Sequence, residues 1–264
     1  VAVVYTTGRQ LVRARRWQSL SLVVPLMAAL IFALTDADID LSQEARNYTL
    51  FTLLGTASMW AYLRWQHSGK RANSLLWIGS TAALMYTHYY GAFVVAAQGI
   101  HILLMLRGRV RLLAMAHLTI AGAIFLPWFA GVTVPQAQNA VENSLPFAIP
   151  SNNESLVQLA YNFLSPQWAL HLALIVTGLV TLRVSNNARR VDLRPLSPFV
   201  LLLLWLLIPV LVLWFGNYAA ALLTPRKMAI ITPVLALLIA FGLSNLRQPA
   251  ATILLAVIVV YGAT

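Results

Sequence analysis

The stretch Asp36 to Tyr48 crowds four carboxylates (Asp36, Asp38, Asp40 and Glu44) and one arginine, Arg46, into a short polar knot. Only 9% of the chain is charged, and apolar runs flank the knot at 20–35 and 49–65. Charge held against a bilayer is costly unless it serves a site, so the knot marks a candidate site at a membrane surface. A second chemical pair follows far downstream, in Pro225-Arg226-Lys227. The planar guanidinium fork of an arginine matches a phosphate with two parallel hydrogen bonds, each worth roughly 1.5–3 kcal/mol. Arg226 and Lys227 are therefore candidates to hold an anionic group such as a lipid phosphate. The alternative is that both snorkel at a helix end and that Arg46 only pairs with Glu44 or Asp40.

The elements that must carry these residues are apolar helices. Of the 264 residues 60% are hydrophobic, in separable continuous runs that do not alternate, which predicts an all-α polytopic membrane protein and disfavours a β-barrel. There is no cysteine, which excludes disulfides and thiolate metal sites. The net charge of +11 does not call for nucleic acid, because the cations fall in short loops between runs and follow the positive-inside rule.

Those cations cluster at Arg9–Arg16, Arg64–Arg71, Arg107–Arg111, Arg183–Arg194 and Arg247. With these loops inside, the outer loops receive Asp36, Asp38, Asp40, Glu44, Glu142 and Glu154, and only Asp192 stays inside. The expected spans are 17–35, 49–66, 73–88, 91–106, 112–131, 167–183, 198–216 and 228–245, in one transmembrane domain over 1–264. Residues 1–8 read as the tail of an earlier span and 250–264 as the start of a later one, so the chain reads as a fragment. Outer residues 132–165, with Pro135, Pro146 and Pro150, are long for a structureless connection and hold an amphipathic pattern from Glu154 to Leu164. Against this topology Arg46, Arg226 and Lys227 are the cations on the acidic side.

The turn Tyr86-Thr87-His88-Tyr89-Tyr90-Gly91 joins two short spans at the outer face. Its aromatics suit either an interfacial belt or a substrate surface. His101, His117 and His171 lie in or near apolar runs, where a lone histidine is more often a packed, hydrogen-bonded residue than a ligand. There is no Gly-rich nucleotide loop, no serine nucleophile elbow and no internal repeat.

The motifs SQEARNYTLF, YTHYYGAFVVAAQGIHILL, FLPWFAG and TPRKMAIITPVLALLIAFGL, in this order, resemble those of bacterial membrane glycosyltransferases of family 39, the protein-mannosyltransferase-like group. Lys227 stands where that family usually has tyrosine. The resemblance implies a type C glycosyltransferase fold with its active site in outer loops. It implies a hexosyl- or pentosyltransferase that moves a sugar from a polyprenyl-phosphate carrier to an extracytoplasmic protein, lipid or glycan.

By the same matching Glu44 is the catalytic carboxylate present here, Arg46 and Tyr48 belong to its loop, and His88 and Tyr89 line the cavity. The family's principal catalytic aspartate belongs to a first outer loop expected before Val1. No cofactor is named by the residues; a divalent cation beside Glu44 stays open. The expected partners are the lipid-linked sugar, the acceptor and the bilayer, in a multi-pass cell-membrane location. A transporter or flippase for a lipid-linked or anionic substrate is the competing class, and it should carry internal repeats and broken helices.

Overall fold

The computed structural model describes residues 1–14, 22–43, 47–135, 173–176, 197–220, 225–244 and 246. Among them the fold is all-α, without strands. The helices are α1 (Ala2–Ala14), α2 (Val23–Ala33), α3 (Asp36–Gln43), α4 (Tyr48–Ser68), α5 (Arg71–Thr87), α6 (Gly91–Met105), α7 (Gly108–Trp128), α8 (Ser197–Ala220) and α9 (Thr232–Leu243). A 3-10 turn, Pro225–Ile231, leads into α9, and a π turn, Phe129–Thr133, widens the end of α7. Pro127 sits inside α7 just before that turn; its missing N–H removes one rung of the helical ladder, where such a bulge forms readily.

Short turns set the alternation of α4 to α7. Gly69 closes α4 with φ of 60° and donates its N–H to Trp65 O at 2.8 Å. Gly108 opens α7 with φ of 57°. A glycine accepts this left-handed backbone without a steric penalty, so each reversal takes few residues. The result is an up-and-down arrangement in which α5 packs on α4 and α7, α6 on α8, and α2 on α1 and α9. One end of the bundle holds the α4–α5 and α6–α7 turns; the other holds α3, the α5–α6 turn and the 3-10 turn.

All twelve residues of α9 are buried, so this helix is the spine of the bundle. Its Gly242 lies against the backbone of Leu174, with no room for a Cβ. Between α4, α5 and α6 the core is polar as well as apolar. The indole N–H of Trp77 donates to Gln98 Oε1 at 2.9 Å, Gln98 Nε2 donates to Ser58 Oγ at 2.9 Å, and the Ser58 and Thr81 hydroxyls pair at 2.8 Å. Beside this chain, His101 Nε2 lies 2.8 Å from the Ser197 carbonyl. A carbonyl only accepts, so Nε2 carries the hydrogen and Nδ1 accepts from the Tyr62 hydroxyl at 2.7 Å. Side-chain bonds thus tie α4, α5, α6 and α8 to one another.

The structure departs from the sequence-based spans in two places. The segment expected as a tail over 1–8 continues as helix through Arg9 and Arg13 to Ala14, because no proline interrupts it and Gly8 is packed closely on Pro25 of α2. The 228–245 span starts with a 3-10 turn over its first residues, bracketed by Pro225 and Pro233. Of the span expected at 17–35, Val23–Ala33 is helical and 17–21 lie outside the described residues. The expected 167–183 span is described only at 173–176, which are helical; the loop at 136–165 and the segment 250–264 lie outside the described residues. Among the described residues two helices are long and apolar enough to cross a membrane, Gly108–Val132 and Ser197–Gly216.

Candidate functional site

The end of the bundle that carries α3 is built around His88. Asn47, just before α4, donates its Nδ2–H to the Thr87 carbonyl at 2.6 Å, which docks the start of α4 on the end of α5. The chain then turns through His88, Tyr89 and Tyr90 into α6. The Tyr90 N–H donates to His88 Nδ1 at 3.2 Å, so in the neutral ring Nε2 carries the hydrogen. Gly91 follows because the chain passes within 2.8 Å of where its Cβ would meet Leu84 Cγ.

Four aromatic rings surround the imidazole. Ring centroids lie 5.1 Å away for Phe51, 6.0 Å for Tyr48, 4.7 Å for Tyr89 and 4.9 Å for Tyr90. Tyr90 stacks in turn on Phe93 at 5.2 Å and is 5% exposed. Burial, with the neighbouring Tyr89, pushes its phenol above the usual tyrosine range and keeps it protonated. Tyr89 is exposed and His88 half-buried, so the cluster offers one wet aromatic face on a packed base.

The 3-10 turn reaches the same end. It packs against α3, α4, α8 and α9. Gly55 on α4 gives it room: a Cβ there would collide with Ile230 Cδ1. The Thr52 hydroxyl donates to Tyr48 O at 3.0 Å and lies 3.5 Å from Ala229 O. Arg226 is exposed on this turn, and Lys227 follows it.

A cavity of about 300 Å³ opens on the neighbouring face of α4, between the starts of α1 and α4, the end of α2, and α3. Phe32, Ile39, Leu53 and Val4 line it together with the hydroxyl residues Ser42, Thr49, Thr52 and Thr56. The Thr56 hydroxyl donates to Thr52 O at 2.8 Å, and that of Thr52 is used as above. The Ser42, Thr52 and Thr56 hydroxyls are bonded within their own helices, and the cavity wall is mainly apolar.

Of the sequence-predicted residues, Tyr48, His88 and Tyr89 come together, and Arg226 and Lys227 lie on a turn at the same end. Glu44 and Arg46 lie outside the described residues. Asp36, Asp38 and Asp40 form part of α3 and not an irregular knot. Among the described residues no three histidine or carboxylate side chains converge as a metal site. Asn47, Phe51 and Tyr90 join the site without having been singled out; the signal was their adjacency to Tyr48 and His88 in the two motifs. His101 is packed and bonded as expected of a lone core histidine, and His117 stacks on Trp77 and tilts against Trp65. No family model, curated protein or solved structure matches the chain.

Proposed function

We propose that the chain belongs to a polytopic membrane glycosyltransferase that moves a sugar from a polyprenyl-phosphate donor to an extracytoplasmic acceptor. The observation that carries this reading is the convergence of three distant motif segments at one end of the bundle. Asn47 and Tyr48, the Thr87–Tyr90 turn and the Pro225–Ile231 turn meet there. The apolar cavity beside them supports a hydrocarbon-linked substrate.

Crossing of the bilayer is part of the same proposal. The 21 residues of α7 are about 30 Å long at 1.5 Å per residue, which matches the hydrocarbon thickness. Arginines 107, 109 and 111 lie at one end of it. At the other, Trp128 and Tyr86 contact each other at 5.7 Å in the manner of an interfacial belt. Between them Leu112, Ile120, Ile124 and Leu126 are exposed.

In the proposed reaction an acceptor hydroxyl attacks the anomeric carbon, the bond from that carbon to the phosphate oxygen breaks, and the hydroxyl proton passes to a carboxylate. Arg226 holds the departing phosphate, where negative charge develops, and Lys227 adds a second positive charge. Glu44 and Arg46 orient the acceptor, while the Tyr48–His88–Tyr89 face takes the sugar.

The test is a kinetic series on the full-length protein with donor and acceptor varied separately. Losing one charge-assisted contact corresponds to about ten- to a hundredfold. Arg226→Ala should show that loss on the donor side, and Arg226→Lys should also be impaired, because the fork is lost. Unchanged donor dependence in Arg226→Ala would remove the phosphate role and leave a snorkelling side chain.

A further inference from the structure

The opposite end of the bundle is strongly cationic. Arg64, Lys70 and Arg71 flank the α4–α5 turn, and Arg107 and Arg109 flank the α6–α7 turn; all five are exposed. The described carboxylates, Asp36, Asp38 and Asp40, all lie on α3 at the other end. Arg64 rests its guanidinium over the Trp60 ring at 5.1 Å, and Arg111 donates Nε–H to the Leu106 carbonyl at 2.7 Å. The two turns are neighbours, because α4, α5, α6 and α7 pack on one another. Trp65, Trp77 and His117 meet in one ring cluster just above them.

The cations are bordered at once by exposed leucines. Leu75 is 70% and Leu112 71% exposed, with Leu103, Leu104 and Leu113 beside them. A purely ionic partner such as a nucleic acid would cover the cations and leave these leucines in water. A two-part partner, with an anionic head and hydrocarbon tails, covers both. That juxtaposition decides between them.

We infer that the Arg64–Arg71 and Arg107–Arg111 turns form a docking surface for anionic phospholipid headgroups, with the acyl chains against Leu75 and Leu112. The inference rests on the membrane part of the proposed function and not on glycosyl transfer. The surface faces the leaflet opposite the candidate site, so lipid composition on one side of the bilayer would set how firmly the helix ends are held.

The test titrates the purified full chain, in zwitterionic detergent, with short-chain phosphatidylglycerol, short-chain phosphatidylcholine or heparin, and follows the thermal unfolding midpoint. Phosphatidylglycerol should raise the midpoint well above phosphatidylcholine. Each juxtamembrane cation contributes about a fivefold change in affinity. The double variant Arg107→Gln/Arg109→Gln should therefore need about 25-fold more phosphatidylglycerol for half its effect, with most of the loss restored by Arg107→Lys/Arg109→Lys. Should the glutamine pair not fold, Lys70→Gln/Arg71→Gln makes the same test on the other turn. Equal midpoints with both lipids, or an unchanged titration in the glutamine variants, would overturn the inference. So would heparin matching phosphatidylglycerol at equal charge, which would point to a polyanion. Failure of the chain to sediment with membranes after carbonate extraction would remove the membrane reading itself; membrane retention without headgroup preference would remove the docking surface alone.

Discussion

The two ends of this bundle are built on different plans. At one end Asn47 ties the start of α4 to Thr87 at the end of α5, His88 and Tyr90 are bonded within the α5–α6 turn, and rings from α4 and that turn pack around the imidazole. At the other end the cations stand exposed on two tight glycine turns, where Arg64 contacts its own helix and Arg111 reaches back across the α6–α7 turn to Leu106. The first plan holds side chains in a fixed relative geometry, which a reacting centre requires. The second gives charge without fixed geometry, which is enough to orient helices and to meet a charged surface.

The largest expected effect tests whether a hydrocarbon layer separates the ends. Ile120 is 49% exposed near the middle of α7. If its surroundings are lipid, Ile120→Asp should oppose insertion by roughly 2.5–3.5 kcal/mol and shift the chain out of the membrane fraction. If they are water, the change should lie within about 0.5 kcal/mol, like other surface substitutions, and fractionation should not move.

The next effect sharpens the fixed end. His88→Phe keeps a ring in the cluster but leaves the Tyr90 N–H without its acceptor, and an orphaned donor costs about 1–3 kcal/mol. A lower thermal midpoint in detergent is expected, larger still for His88→Ala. Wild-type stability in both variants would mean that this end is as loosely held as the other. Asn47→Ala removes one neutral hydrogen bond and should cost about 0.5–1.5 kcal/mol by the same measurement; no change would detach the start of α4 from the α5–α6 turn.

The fold was legible where turn chemistry and apolar length agreed. The run from Asn73 to Leu106 is too long for one span and divides at Tyr86–Gly91, and the helices α5 and α6 end and begin there. The 3-10 turn was not legible, because Pro225-Arg226-Lys227 and the following apolar run read equally well as a helix start. Nor was α3, whose acidic residues look like a loop by composition. The polar core went unread although its spacing was available. Ser58 and Tyr62, Trp77 and Thr81, and Gln98 and His101 are three or four residues apart, so each pair shares a helix face. Apolar residues surround these positions and masked the pattern. The candidate site was legible as motifs, whereas its aromatic packing depends on how α4 meets the α5–α6 turn, which no local spacing encodes.

The account stands on the two ends facing opposite sides of a bilayer. The chain contains no cysteine, so single cysteines report without background. In intact cells, cysteine introduced at Gly108 or Asn187 should stay unlabelled by a membrane-impermeant thiol reagent and react only after permeabilisation, while cysteine at Asn139 should react at once. The reverse pattern would put the His88 cluster and Arg226 on the cytoplasmic side and contradict the extracytoplasmic site. Equal labelling of all three in intact cells would contradict the separation of the ends.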